Sequence, residues 1–325
     1  MTDQIDIAPR TRKVSDSAVG EITEKQITIA TSSGEITVDI SDAEKCDLWI
    51  FGYGSLVWKP NFEYNQQLVG SIQGFKRRFW QGNSYHRGNS SRPGRVATLV
   101  PKPTTDLNNN PELRTKIQDP PGEEEDALDY TTWGVAFQLL GREQILAAIN
   151  HLNMRETQLG GYDIVMTEFT PQMKDSGENP NPVPSIPSMV FMATTQNPIY
   201  LGPSSSMEIS KEICQASGAC GTNVEYLLKL CQWQKSYVPN VKDTHLTNLE
   251  THCLHIMKDV IQEQQNTRCS SPARVSSTTN WLDEQWVMSY IYMRRRGSEG
   301  LKCSCHQDHS QNPKDFFGPL GMHYS

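Results

Sequence analysis

At 325 residues the chain has room for one large domain or two ordinary ones, since domains commonly run to ~100–150 residues. Hydrophobic residues make up 36% and charged ones 21%, and no run of about 18 apolar residues occurs, so a membrane-spanning helix is excluded. The net charge is −7, which argues against nucleic acid as a partner, because a polyanion needs a cationic surface.

The first ~45 residues alternate polar and β-branched types without a sustained apolar pattern, so residues 1–46 are expected to form a weakly ordered extension carrying one weak hairpin. The polar start Met1-Thr2-Asp3-Gln4 lacks the basic and apolar stretches of a secretory leader, and a cytoplasmic address is expected. Trp49-Ile50-Phe51 reads as a short buried strand, broken by Gly52-Tyr53-Gly54-Ser55, where two glycines flank an aromatic and force a turn. Leu68–Gln81 and Arg95–Val100 read as further strands. Residues 101–130, with three asparagines in a row and Pro120-Pro121-Gly122-Glu123-Glu124-Glu125-Asp126, lack the apolar content to order themselves. That composition points to a disordered insertion over 102–130, with the strands on either side pairing across it. The strand pattern resumes at Thr131. A helix follows over Arg142–Glu156, with Ile145, Ile149 and Leu152 spaced by four and three, stopped by Gly160-Gly161. Strands over Tyr162–Thr170 and Ser188–Thr194 precede helices over Ser206–Ser217, Asn223–Trp233 and Leu246–Gln262. The class is mixed α+β, with one domain over 47–265 and a loosely ordered C-terminal extension over 266–325. No heptad or exposed apolar stripe is evident, so a monomer is expected.

The chemistry-bearing residues are few. Gly52-Tyr53-Gly54-Ser55-Leu56 sits directly after a strand, where glycines let successive backbone N–H groups converge on a carboxylate, although the same residues also suit an ordinary tight turn. A dinucleotide fingerprint is absent, because no third glycine follows in register and Pro60 stands where its helix would start. Glu156, eleven residues after Ile145, continues the apolar stripe of its helix, so its carboxylate should face inward with a raised pKa, as a group that both accepts and donates a proton needs. The alternative is a partly exposed glutamate paired with an Arg or Lys. From Tyr64 to Val100 there is no acid, while Lys76, Arg77, Arg78, Arg87, Arg92 and Arg95 fall there. That field suits an anionic ligand, unless acids elsewhere in the fold answer it. His86 reads as structural. Cys303-Ser304-Cys305-His306 with His309 lacks the spacing of a closed zinc site, so no metal is expected. The eight cysteines, at 46, 214, 220, 231, 253, 269, 303 and 305, read as reduced thiols in a chain too long for a disulfide scaffold. Ser55 has no motif-level base beside it, and no G-x-S-x-G, H-E-x-x-H or Walker loop occurs.

Taken in order, Trp49-Ile50-Phe51-Gly52-Tyr53-Gly54-Ser55-Leu56-Val57-Trp58, Arg77-Arg78-Phe79-Trp80-Gln81-Gly82, His86-Arg87-Gly88, Pro93-Gly94-Arg95-Val96, Met154-Arg155-Glu156 and Gly160-Gly161-Tyr162 resemble the ChaC family of glutathione-specific γ-glutamyl cyclotransferases. Tyr200-Leu201-Gly202-Pro203 and Asn223-Val224-Glu225-Tyr226-Leu227 continue the likeness, which spans about residues 48–262 and fails at both ends and in the insertion. The resemblance implies a small mixed β-barrel with surrounding helices, no metal or organic cofactor, and a lyase that converts glutathione to 5-oxoproline and Cys-Gly. It also implies that Glu156 is catalytic, that Ile50, Phe51, Gly52, Tyr53, Gly54, Ser55 and Leu56 form the substrate-binding turn, and that Tyr226 helps line the site. Thr157-Gln158-Leu159 makes the step from the glutamate to the glycine pair longer than is usual in the family.

Overall fold

Stretches in which β-branched and aromatic residues alternate with polar ones favour strands, and the apolar periodicity of the later sequence favours helices. The computed structural model describes residues 19–23, 25–31, 34–103, 115–123, 130–158, 162–173 and 184–270, and bears this out. In chain order come β1 (Val19–Ile22), β2 (Gln26–Thr31), β3 (Gly34–Asp39), β4 (Asp47–Gly52), a 3-10 turn over Ser55–Val57, β5 (Gln66–Gln73), β6 (Phe75–Asn83), β7 (Gly94–Pro101) and β8 (Thr131–Leu140). Helix α1 (Arg142–Leu152) runs into a π-helical turn over Asn153–Gln158, and β9 (Asp163–Pro171) and β10 (Ile186–Met192) follow. The described residues end with α2 (Ser206–Gln215), the short β11 (Ser217–Gly218) and β12 (Gly221–Thr222), α3 (Asn223–Tyr237) and α4 (Thr244–Ser270). The described residues fall into two compact units, drawn respectively from Met1–Gly52, Asn61–Gly74 and Thr131–Tyr200, and from Tyr53–Pro60, Phe75–Tyr130 and Leu201–Ser325.

The first unit is built on a closed five-stranded barrel in the order β10-β4-β8-β5-β9. β4 pairs in parallel with β10 (Ile50 opposite Met189) and antiparallel with β8 (Ile50 opposite Phe137). Closure satisfies every strand edge. Its strands carry Ile50, Phe51, Ile72, Phe137, Leu139, Phe169 and Val190, all essentially buried; because successive residues of a strand face opposite sides, adjacent Ile50 and Phe51 show that both faces of the barrel wall are covered here. Gly134 and Gly70 are glycine for want of room: a β-carbon at Gly134 would lie 2.2 Å from the Gly52 carbonyl oxygen, and one at Gly70 the same distance from that of Thr170. Helix α1 turns Ile145, Ala148, Ile149 and Leu152 inward. Before the barrel stands an antiparallel sheet, β1-β2-β3, where the sequence suggested a weak hairpin. Ile27, Ile29, Val38 and Ile40 are buried there, so alternate positions supply an apolar face that composition alone understated.

The second unit holds the two-stranded ribbon β6-β7 and the helices α2, α3 and α4. Ser205 caps α2 by accepting from the Glu208 N–H, and Thr222 caps α3 by accepting from the Glu225 N–H. Ile209, Ile213, Leu227, Leu228, Leu249 and Met257 form the helical core. Two expectations are corrected. The strand read over Leu68–Gln81 is two strands, because Gly74 takes φ = 88° and turns the chain where an L-residue would be strained. The strands flanking the insertion do not pair with each other: β7 pairs with β6, and β8 with β4 and β5. Of the insertion itself, 104–114 and 124–129 lie outside the described residues, but Asp119 and Glu123 are anchored. Asp119 receives Arg78 at 2.6 Å and 2.8 Å, and Glu123 accepts from the Ser206 hydroxyl and, at 2.9 Å, from its N–H. Among the described residues no helix is long and apolar enough to cross a membrane, and Cys46, Cys214, Cys220, Cys231 and Cys253 are free thiols.

Candidate functional site

The glycine turn leaves β4 at Gly52, the last residue of the first unit, and Tyr53–Leu56 belong to the second. Ile50 and Phe51 have completely buried side chains, and the Phe51 ring lies 5.7 Å from that of Phe169. Anything these two residues offer a ligand is therefore backbone. In the second unit the turn is tightened by the Val57 N–H donating to the Gly54 carbonyl at 3.2 Å and the Lys59 N–H to that of Ser55 at 2.8 Å. Leu56 and Val57 are buried, which holds the turn down.

Tyr226, on α3, stands over this turn. A β-carbon at Gly54 would come within 2.8 Å of the Tyr226 Oη, so the two sequence-predicted residues are neighbours. Tyr226 is 5% exposed and accepts from the Ala97 N–H at 3.2 Å. Its ring meets Trp58 edge-on at 5.4 Å and Phe79 at 5.9 Å, with the Arg87 guanidinium 5.8 Å away over its face. An aromatic enclosed in this way keeps one rotamer, which fixes its hydroxyl.

Of the six cations in the acid-free stretch Arg92 is exposed, while Lys76, Arg77, Arg78, Arg87 and Arg95 are buried and their charges are answered. Arg77 pairs with Asp243 at 3.1 Å, Arg78 with Asp119, Arg87 with Glu225 at 3.1 Å and Arg95 with Glu212 at 2.5 Å. Each of these four arginines is less than 10% exposed. The reading in which acids elsewhere meet the stretch is the correct one for them. Burying an ion costs several kcal/mol unless a partner and hydrogen bonds compensate, and here they do. Glu225 shows the balance: burial pushes its pKa up, but Lys229 and Arg87 outweigh that and hold it below the ordinary value. His245 is buried against the same arginines and accepts from the Phe79 N–H at 3.1 Å through Nε2. Burial, with Arg78, Arg77 and Arg95 adding to it, depresses its pKa well below the usual histidine value, so it is a neutral acceptor.

Glu156 belongs to the first unit and sits in the π-helical turn Asn153–Gln158. The expected α-helix ends at Leu152, four residues short of it. A π turn adds a residue and re-aims the side chains it carries, and such turns recur at functional positions. The carboxylate is 16% exposed and 2.9 Å from the equally buried Arg155 Nε. Burial raises its pKa and the Arg155 guanidinium works against that, with burial the larger effect. Both sequence readings of Glu156 therefore hold in part, since it is largely buried and paired. The carbonyl of Glu156 accepts from the Tyr162 N–H at 2.9 Å, closing the connection that contains the glycine pair. Leu159, Gly160 and Gly161 themselves lie outside the described residues, as do Cys303, Cys305, His306 and His309.

Sequence reasoning gave no role at the turn to Arg77, which donates to the Tyr53 carbonyl, to Gln234, which accepts from Arg77, or to Ala97 and Trp58, which contact Tyr226. Arg77 carried a signal in the run of cations with no acid nearby. Ala97 carried none, because it acts through its backbone. Among the described residues no group of three or more His, Cys, Asp or Glu converges on a metal position.

Residues 48–255 match the family model described as ChaC-like protein. The chain is 41% identical over 219 residues to glutathione-specific gamma-glutamylcyclotransferase 1 of Danio rerio, covering 67% of this chain and 95% of that protein. To the Homo sapiens protein of the same name it is 40% identical over 206 residues, covering 63% and 78%. Among solved structures, a crystal structure from yeast described as a gamma-glutamyl cyclotransferase specific to glutathione is similar at a TM-score of 0.53 and 29% identity, over 64% of this chain and 95% of that one.

Proposed function

We propose, from the premise that this chain belongs to the ChaC-like family, that it is a cytoplasmic γ-glutamylcyclotransferase that degrades glutathione to 5-oxoproline and Cys-Gly, acting as a monomer. The relatives named for glutathione specificity support the substrate. The observation that carries the chemistry is Glu156, a largely buried carboxylate whose pKa is raised by that burial.

The reaction asks little of a protein. The α-amino nitrogen of the γ-glutamyl group attacks its own γ-carbonyl, a five-membered closure in which both reactants belong to one molecule, so proximity is built in. Glu156 accepts a proton from the attacking amine. It returns that proton to the departing cysteinyl nitrogen as the C–N bond breaks, and one carboxyl group serves both halves. Its raised pKa suits this double duty better than an ordinary carboxylate would, because an acid much stronger than its partner holds too little proton near neutral pH. The turn from Ile50 to Leu56 holds the γ-glutamyl head through backbone N–H groups, which bind the α-carboxylate at no cost in side-chain ordering. Tyr226 completes the wall beside Gly54.

The test is direct. Purified protein incubated with glutathione should release 5-oxoproline, and Glu156→Gln should keep the fold, by circular dichroism and melting temperature, while losing nearly all turnover, of order 10²–10⁴-fold for a general acid–base group. Release of Cys-Gly by Glu156→Gln at the wild-type rate would rule Glu156 out. Activity on γ-Glu-Ala or γ-glutamyl-lysine in place of glutathione would instead place the chain among cyclotransferases for other γ-glutamyl amines.

A further inference from the structure

Arg77 is placed to do more than neutralise an acid. It is 4% exposed and spends its donors on three separate segments of the second unit. Nη1 donates to the Tyr53 carbonyl at 2.8 Å, Nε to Asp243 Oδ2 at 3.1 Å and Nη2 to Gln234 Oε1 at 3.2 Å. Both side-chain acceptors are themselves tied down. Asp243 Oδ1 accepts from the Leu246 N–H at 2.9 Å at the start of α4, and Gln234 Nε2 donates to the Val241 carbonyl at 3.3 Å. The guanidinium is thus a rigid bracket between the α3–α4 junction and one peptide group of the glycine turn.

That peptide is the one that matters for a cradle. In a trans peptide the C=O and the following N–H point in opposite directions, and the chain has no cis bonds among its described residues. Holding the Tyr53 carbonyl on Arg77 therefore directs the Gly54 N–H away from the guanidinium. Gly54 is also the residue beside the Tyr226 hydroxyl. We infer that Arg77, with Asp243 and Gln234 holding it in place, is a positioning residue that fixes the orientation of the Tyr53–Gly54 peptide and so sets affinity for the γ-glutamyl carboxylate. This rests on the proposed cyclotransferase reading. A planar five-donor fork suits the task, whereas an ammonium, with a single charged head, cannot span three acceptors in three directions.

The test compares Arg77→Lys with Arg78→Lys in the full chain, using steady-state release of 5-oxoproline from glutathione together with melting temperatures. Arg78 is as buried as Arg77 and ion-paired on the same strand, but its acid is Asp119. Arg77→Lys should raise KM about 10-fold with kcat within about 3-fold of wild type, the pattern of lost ground-state binding, while Arg78→Lys leaves KM unchanged. Asp243→Asn, nearly isosteric and still able to cap α4 through its oxygen, should raise KM in the same direction, and it keeps the question decidable if Arg77→Lys fails to fold. A wild-type KM in Arg77→Lys, or in Asp243→Asn should the first variant not fold, overturns the inference, as does an equal KM rise in Arg78→Lys, which would make the effect one of buried charge. A wild-type protein that forms no 5-oxoproline overturns the cyclotransferase reading instead, and the positioning role falls with it.

Discussion

Placing a single methyl group on Gly54 is expected to be costly for a reason that lies in Tyr226. The φ of Gly54 is −118°, which L-residues adopt, so Gly54→Ala meets no penalty from φ itself. The penalty is contact: the new β-carbon would lie 2.8 Å from the Tyr226 Oη, while the next atoms, Ala97 Cβ and Tyr226 Cζ, are at 3.8 Å and 4.0 Å. Restoring an ordinary separation of about 3.4 Å requires the hydroxyl to retreat by about 0.6 Å. It cannot do so freely, because the ring is held between Trp58 and Phe79. The retreat therefore comes at the expense of the 3.2 Å bond from the Ala97 N–H, and a buried amide left without its acceptor costs about 1–3 kcal/mol. At roughly 2–4 °C per kcal/mol for a large domain the melting temperature should fall by about 2–12 °C, and turnover of glutathione should fall with it. A double-mutant cycle isolates the cause. Tyr226→Phe removes the Oη and pays the amide penalty by itself, after which Gly54→Ala faces only atoms at ordinary contact distance. Chemical denaturation of the four proteins measures it. If Gly54→Ala is as destabilising in the Tyr226→Phe background as in the wild type, the steric account is wrong.

Three further outcomes follow from charge and packing. The acid limb of kcat/KM should lie above the ~4.3 of an unperturbed glutamate, because burial raises Glu156, and Arg155→Met should move it further up by removing the opposing guanidinium; a limb that stays put or moves down in that variant contradicts the assignment. His245 binds a proton when unfolded at about pH 6.5 but resists it when folded. Its contribution to stability is therefore present above that pH and lost as pH falls toward the folded value, by up to about 1.4 kcal/mol per unit, and urea titrations should show a shallower loss between pH 6.5 and 5 in His245→Asn than in the wild type. Gly134→Ala should destabilise more than Gly54→Ala, because the obstructing atoms are the Gly52 carbonyl oxygen and the Phe51 ring at 2.2 Å and 2.6 Å, and backbone inside a closed barrel does not yield. Comparable urea midpoints for the two variants would contradict this.

The local alphabet of this protein was legible without coordinates. The buried strand before Gly52, the turn it feeds, the helix through Ile145, Ile149 and Leu152, and the three later helices all depend on nearest-neighbour preferences and on the periodicity of apolar residues. The ordered likeness to a family gave Glu156, already marked by periodicity, its catalytic role and added Tyr226. Pairing was another matter. That β8 joins β4 and β5 instead of β7 is settled by residues far apart in the chain, and local sequence carries no term for it.

The same division runs through the candidate site. Composition showed an acid-free run of cations from Lys76 to Arg95 but could not say whether they faced a ligand or answered buried acids, because Asp119, Glu212, Glu225 and Asp243 arrive from 41 to 166 residues away. Periodicity put Glu156 on the apolar stripe of its helix, which led to the expectation of an inward-facing carboxylate with a raised pKa, with a partly exposed glutamate paired to Arg or Lys as the alternative. Its raised pKa and its pairing with Arg155 depend on a π turn and on the packing around it. The sequence by itself determined which groups are present and the local conformations they prefer, while only the tertiary structure decided which of those groups meet, since desolvation and charge pairing are properties of a place and not of a residue.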